Sequence, residues 1–371
     1  MPTRDSVVWE RDPHTAAKHD LLRSYLSAWV PILVTTFGRA TYAEGFAGPG
    51  VYEGGEPGSP VIALEVVSSH RGVFVGSRQL DLVFVEERAD RHARLQSELS
   101  QAVQRISALP AGVVLHPSVR GDCADVLLGK LDGIDAWGAP VLVVLDSWGG
   151  PDIPHSLVSR VAANKASEVL ITFGPAFLTR FGENPDHREQ GDAAFGSTAW
   201  RVVFEQPSER KHTFLVQAYR DSLHAAGFQY VLAFEMVDEK GHPLWLMFGT
   251  SDKKGVEKMK DAMWKVDPSY GVRYRDPRDP AQMTLDISHP DDSALTTMIT
   301  AQLDAGPRSL DELRDFALTE TVYRPQQVWH VVRDQLARGV FERIDGGHMR
   351  GGSRLRRSSA SPGPVQDSLF H

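Results

Sequence analysis

Four short stretches of this chain carry residue types whose spacing could do chemistry. The first is 42–60, Y-A-E-G-F-A-G-P-G-V-Y-E-G-G-E-P-G-S-P. An apolar run reaches an acid, Glu44, and Gly45, Gly48 and Gly50 follow within six positions. Glycine takes positive φ freely and lets the backbone approach a ligand closely. A strand that ends on a carboxylate and turns through close-set glycines therefore has the form of a nucleotide-type site, or, more plainly, of a structural turn. The second stretch ends V-F-V-E at Glu86. A carboxylate there can accept hydrogen bonds from ribose hydroxyls, or stand as a solvated strand-end acid. The third is Asp122 in R-G-D-C-A-D, which can accept from an adenine amine or cap a helix N-terminus. Both readings can hold, for different atoms or with neighbouring Asp125. The fourth is Asp146-Ser147-Trp148-Gly149, closing the run V-L-V-V-L-D. An Asp oxygen and a backbone carbonyl can accept the hydrogens of an amine and so orient its lone pair, while an aromatic stacks on a flipped base. Burying such an amine unpaired would cost roughly 1–3 kcal/mol per group. The structural alternative is a buried Asp satisfied by loop amides, with Trp148 in the core.

These residues need elements to position them. Leu21, Leu22, Tyr25, Leu26 and Trp29 fall at helical spacing, which predicts an amphipathic helix over 14–30, with Gly38 closing the segment. His14, Lys18 and His19 lie at one end of it, either folded over a ligand or on a solvated face. Strands are expected at 40–44, 82–86, 113–116, 141–146 and 168–173, with helices near 59–70, 88–107, 122–131 and 154–164 between them. That alternation implies parallel βαβ units with right-handed crossovers. A polar segment at 182–211 reads as an inserted loop with a short helix, followed by a helix over 213–226 capped by Gly227. Strands at 230–235 and 244–248 are separated by about eight polar residues, too few for a helical crossover, so they must pair antiparallel. Residues 267–292 are Pro/Asp-rich and read as a linker. Residues 293–344 give helix–turn–helix–strand, with Ser309 as a cap and Arg324 starting a second helix: a winged-helix outline. Arg314, Arg324 and Arg333 could meet phosphates there, or the unit could serve packing or dimerisation. The Gly/Ser-rich tail, 345–371, with its arginines, is expected to be disordered.

Composition bounds the rest. The 371 residues are 42% hydrophobic and 24% charged, with net charge −8. That excludes a globally basic nucleic-acid binder and leaves room for a local basic groove. No apolar run approaches the roughly 18 residues of a membrane span, and the N-terminus has no apolar signal core, so a cytoplasmic protein is expected. One cysteine, Cys123, excludes an intrachain disulfide and a thiolate metal cluster. H-E-x-x-H, G-x-x-x-x-G-K and G-x-S-x-G motifs are absent.

Five βα units closed by a hairpin resemble the Rossmann-like sheet of class I methyltransferases. More specifically, H-T-A-A-K-H-D-L-L-R-S-Y-L at 14–26, G-F-A-G-P-G-V-Y-E-G-G-E-P-G-S-P-V-I-A-L at 45–64, L-D-S-W-G at 145–149 and G-T-S-D-K-K-G at 249–255 resemble the three-Cys-motif partner protein family (TcmP). The likeness covers most of the chain and implies a protein partner carrying a three-cysteine motif. The same positions are similar to bacterial ribosomal RNA methyltransferases that modify an adenine amine. Those enzymes have a K-H pair, matched by Lys18-His19. Their H-A-G-x-G loop is matched by Phe46-Ala47-Gly48-Pro49-Gly50, and their D-P-P-Y by Asp146 and its followers. Phe46 replaces the loop histidine, and Ser147-Trp148-Gly149 replaces P-P-Y, where the partner family more usually shows D-P-F-G. Loss of the proline leaves that loop less constrained.

The resemblance implies S-adenosyl-L-methionine held by Lys18, His19, Glu44, Gly45, Phe46, Ala47, Gly48, Gly50, Ser59, Glu86, Asp122 and Cys123. It places Asp146, Ser147 and Trp148 at the reacting end and an RNA or DNA base amine as acceptor. The domains expected are 1–266 for the methyltransferase-like part, the 267–292 linker, 293–344 and the tail. The other reading from a different class is a non-catalytic accessory protein that binds a three-Cys-motif partner or nucleic acid.

Overall fold

The computed structural model describes residues 6–147, 150–237, 243–266, 273–275 and 292–358. The chain divides into two units, Met1–Ser288 and His289–His371.

The first unit begins with helix α1 (Pro13–Phe37). Asp12 caps it by accepting from the Thr15 amide at 2.8 Å, and Pro13 supplies a preset φ at the first position. The helix runs past the expected end at residue 30, through Pro31, and stops where Gly38 takes φ +78°. Strand β1 (Arg39–Glu44) leads through the glycine loop into α2 (Ser59–Ser69), β2 (Gln79–Glu86) and α3 (Ala89–Arg105). Then come β3 (Val113–Leu115), β4 (Val119–Arg120), α4 (Cys123–Gly133), β5 (Val141–Leu145), α5 (His155–Ala162) and β6 (Glu168–Phe173). Helices α6 (Pro175–Phe181), α7 (Pro185–Phe195) and α8 (Lys211–Ala226) follow. The unit closes with β7 (Tyr230–Val237), β8 (Pro243–Thr250), α9 (Lys253–Met263) and β9 (Arg273–Arg275).

The sheet order is β3-β2-β1-β5-β6-β8-β7-β9, with the two-residue β4 also on β2. Strands β3, β2, β1, β5 and β6 are parallel. Strand β8 is inserted antiparallel between β6 and β7. The antiparallel hairpin expected from the short connection is present, and the fold is α/β with a mostly parallel central sheet. The order reverses between β1 and β5, and a ligand crevice belongs outside the carboxyl ends of the strands at such a switch point.

The strands are apolar almost throughout because both faces are covered. Ala43, Val83, Val143 and Ile171 meet α4, α5 and α8. The opposite face meets α1, where Tyr25 and Phe248 rings lie edge-on at 5.4 Å. The helix-spaced residues Leu21, Leu22, Tyr25, Leu26 and Trp29 are all buried.

Two sequence expectations are corrected. Residues 182–211, expected as an inserted loop with a short helix, keep the helix but are not an exposed polar loop around it. They hold α7 and 3₁₀ turns at Ala199–Glu205 and Ser208–Arg210, and Phe195, Trp200 and Val203 are buried in the core. The polar stretches at either end mask the apolar A-A-F and A-W-R-V-V-F between them. Within the expected linker, Arg273–Arg275 pairs with β7, and the rest, apart from Asp292, lies outside the described residues.

The second unit contains α10 (Ser293–Asp304), β10 (Arg308–Ser309), α11 (Leu310–Glu320), α12 (Pro325–Ala337), β11 (Phe341–Arg343) and β12 (Arg354–Arg357). Ser309 caps α11 in a reciprocal box with Glu312. The tail expected to be disordered instead supplies β12, the middle strand of an antiparallel sheet ordered β10-β12-β11. Its Leu355 is fully buried. One apolar residue among arginines and serines is enough to place a strand that composition hides. Residues 359–371 lie outside the described residues.

Candidate cofactor and acceptor site

A cavity of about 490 Å³ opens at the switch point, within the usual size of small-molecule sites. The loop after β1 forms one wall. The Ala47 amide donates to Val85 O at 2.9 Å, carrying the loop across the end of β2. Gly48 turns with φ +64° and its amide donates to Glu86 Oε2 at 2.9 Å. Gly50, at φ +77°, sits so close to Gly58 that a Cβ on Gly58 would lie 2.8 Å from the Gly50 carbonyl carbon. These turns are therefore built from backbone contacts that only glycine permits. Phe46, Ala47, Gly48, Gly50 and Ser59 all line the cavity.

Glu86 lines it as well. Its other oxygen accepts from the Arg88 amide at 3.1 Å, so the carboxylate holds two turns while each oxygen keeps a lone pair. Asp122 also lines the cavity. Its Oδ1 accepts from the Ala124 amide at 2.8 Å, so the cap reading holds for that atom, while the residue still faces the cavity. Asp146 and Ser147 complete the far side, and Ser147 Oγ donates to Gly150 O at 3.1 Å. Trp148 and Gly149 lie outside the described residues.

From α1, Lys18 forms an ion pair with Asp146 Oδ2. Burial raises the Asp146 carboxyl, and the Lys18 ammonium outweighs it, holding the group below the usual carboxylate range. The Asp146 side chain remains 37% exposed, so it is open on the cavity side. His19 is buried and lines the cavity. Burial and the adjacent Lys18 charge push it down to about 3, so it is neutral. Its Nδ1 is buried without a hydrogen-bond partner, the kind of orphaned atom that a bound ligand satisfies.

Four of the residues expected to hold the ligand, Lys18, Glu44, Gly45 and Cys123, do not line the cavity. Glu44 is buried beneath it, accepting from Tyr42 Oη at 2.7 Å and Ser59 Oγ at 2.6 Å. Burial raises its pKa to about 8 against the pull of those two donors. A Cβ on Gly45 would collide with Cys123 Sγ and lie 2.7 Å from Leu145 Cδ2. That glycine is required by packing between β1, β5 and α4. Cys123 is buried under it, with burial pushing its thiol up to about 12. Among the described residues, no cluster of His, Cys, Asp and Glu could hold a metal ion.

Sequence reasoning missed Trp9, Tyr52, Glu87, Arg88, Arg91 and Asp152, which also line the cavity. The segment before α1 crosses the glycine loop, and the Glu53 amide donates to Trp9 O at 2.9 Å. The Trp9 ring meets Tyr52 edge-on at 5.8 Å and lies 4.7 Å from the Arg91 guanidinium. Nothing in the spacing of residues 9, 52 and 91 signals this; chain crossing alone brings them together. The described lining holds five carboxylates, Glu86, Glu87, Asp122, Asp146 and Asp152, against the two arginines. Such a site favours a ligand rich in hydroxyl and amine donors or carrying positive charge.

No family model and no curated protein matches the chain. Solved structures that it is similar to include a precorrin-6y C5,15-methyltransferase from Geobacter metallireducens GS-15. There the identity is 9%, 60% of this chain and 87% of that chain are covered, and the TM-score is 0.28. Another is Trm1 from Pyrococcus horikoshii with S-adenosyl-L-methionine, at 10% identity, covering 97% of this chain and 94% of that chain, with a TM-score of 0.37. No helix among the described residues is long and apolar enough to cross a membrane.

Proposed function

We propose that the chain is an S-adenosyl-L-methionine-dependent methyltransferase acting on an exocyclic amine of a nucleobase. The observation that carries this reading is the cavity itself. Gly48, fastened to the β2-end carboxylate Glu86, and Asp146, just beyond the end of β5, face one space at the switch point. The residues fit the cofactor: carboxylates suit its hydroxyls, amines and sulfonium charge, and His19 Nδ1 awaits a partner. On this reading Glu86 and Asp122 take the ribose and the base amine and His19 the methionine end, while Lys18, outside the cavity lining and paired with Asp146, acts on the acceptor side.

The cofactor supplies an electrophilic methyl group when bound. Asp146 works on the acceptor. Ionised, it can only accept hydrogen bonds, so an amine beside it must turn an N–H toward it. That leaves the nitrogen lone pair directed away from the carboxylate. Lys18 keeps Asp146 ionised, and the buried neutral His19 adds no competing charge.

The resemblance to the three-Cys-motif partner family stands on the sequence motifs alone, and a protein partner is proposed on that basis. The helix–strand order of the second unit supports a winged-helix reading with nucleic-acid contact as its role. Calorimetry with S-adenosyl-L-methionine tests the main proposal. Binding is expected, and Glu86→Ala should weaken it by about tenfold or more, the scale of a lost charged hydrogen-bond acceptor. A folded chain that gives no binding heat with the cofactor overturns it.

A further inference from the structure

A second cavity, about 460 Å³, adjoins the first and shares Ser147 and Asp152 with it. Its other wall comes from α6 and from α7 of the insert: Phe177, Phe181, His187 and Gln190. The three rings form one cluster. Phe177 and Phe181 are 5.4 Å apart between centroids, Phe177 and His187 5.0 Å, and Phe181 and His187 6.1 Å. Phe177 and Phe181 are four residues apart on one helix, so their rings lie along the same face.

Helix α6 and the insert contain two kinds of aromatic residue. Phe195 and Trp200 are buried, stacked at 5.7 Å, and anchor the insert to the core. Gly191 lies so close to Trp200 that a Cβ there would collide with the indole, which holds α7 down. Phe181, by contrast, is 49% exposed at the cavity. Helix α6, seated through the buried Leu178, leaves a phenylalanine in solvent beside the cavity and so presents a stacking face to whatever enters. His187 Nδ1 lies 3.0 Å from Gln190 Oε1, so hydrogen-bonding groups stand at the edge of the ring cluster.

We infer that this cavity is the acceptor-base subsite, in which Phe177, Phe181 and His187 stack on a nucleobase extruded from its strand. The base then reaches past Ser147 toward Asp146. The inference rests on the proposed function and names the residues that hold its substrate. Base–aromatic stacking tolerates any base, so these rings supply affinity, while hydrogen bonds near Asp146 supply selection.

The test uses the intact chain and two short single-stranded probes, one RNA and one DNA, each with one 2-aminopurine. Stacking quenches its fluorescence. Cofactor affinity is measured in parallel by calorimetry. Quenching by the wild-type chain is expected with at least one probe. Phe181→Ala and Phe177→Ala should each weaken probe binding by about 5- to 100-fold, the range for loss of one stacked ring. Phe181→Trp should retain it, and none of the three should alter cofactor affinity. Unchanged quenching in Phe181→Ala overturns the subsite. So does cofactor binding with no quenching of either probe, which leaves the methyltransferase reading standing. A folded chain that binds no cofactor removes the functional reading itself, and the subsite with it.

Discussion

Two carboxylates at the ends of neighbouring parallel strands, Glu44 closing β1 and Asp146 just after β5, have opposite fates. The strands are paired in register, with Glu44 opposite Val144. Glu44 faces inward, enclosed by Tyr42 and Ser59, and is raised to about 8 by burial. Asp146 faces the cavity, meets Lys18, and stays below the usual carboxylate range. A lysine on a separate helix, not the strand end itself, makes one acid chemically available and leaves the other a neutral structural group. Glu168, at the opposite end of the sheet, follows the Glu44 pattern. It accepts from Tyr25 Oη at 2.6 Å and Thr250 Oγ1 at 3.0 Å, is raised to about 7 by burial, and pins α1 to the sheet.

The contrast can be broken most sharply at Asp146. Asp146→Asn places an NH₂ where an acceptor oxygen stood. Transfer of labelled methyl to an RNA or DNA pool should fall by at least about 100-fold, the scale for a misplaced catalytic hydrogen-bonding group. Cofactor affinity should change far less. Equal transfer by the variant would place Asp146 with Glu44 as structural.

At the other strand, Gly45→Ala should destabilise the fold without touching the cavity wall. The new methyl meets Cys123 and Leu145, and overpacking of this kind costs about 1–3 kcal/mol, read as a lower urea midpoint. Adding Cys123→Ala should recover part of the loss, since the two sites share the contact.

The pH dependence separates the two kinds of buried group. Glu44 and Glu168 have folded pKa values raised above the unfolded ones, so the unfolded chain binds fewer protons and stability falls as pH rises toward about 8 and about 7. His19, lowered to about 3, has the opposite sign: its contribution is lost as pH falls below the ordinary histidine value. Above pH ~6.5 only the carboxyls act. Between about pH 6.5 and 8 stability should therefore drop, with Glu44 contributing about 1–2 kcal/mol. Glu44→Gln should flatten that slope in thermal melts. An unchanged slope would assign the drop to Glu168.

The smallest effect is expected from Lys18→Met. Asp146 is partly exposed, so the ion pair contributes below about 1 kcal/mol to stability. Its influence should appear in rate instead. Without the ammonium, the Asp146 pKa rises and the acid limb of the transfer–pH profile moves to higher pH.

Much of this was legible in the chain. Glu86 and Asp146 are legible at strand ends because apolar runs mark strands buried on both faces, Asp122 because it follows the third strand as a cap residue, and the eight-residue connection forces the reversed hairpin. Gly48 and Gly50 are readable as turn glycines because they follow a strand end in close succession, and both take positive φ in the structure. The packing of the insert and β12 were not readable: Phe195, Trp200 and Val203 lie between two strongly polar stretches that dominate the composition, and Leu355 is an isolated apolar residue among arginines. A single buried side chain leaves no period.

The sequence by itself determined which residue types stand at the ends of which strands, since hydrophobic periodicity and glycine sterics act locally. The tertiary structure alone decided which of them face the cavity. It sent Gly45 and Cys123 into packing and buried Glu44 under Ser59. It brought Lys18 to Asp146 across 128 residues of chain and folded Trp9 over the glycine loop. Direction, burial and charge pairing depend on what other elements pack alongside, and no local spacing records that.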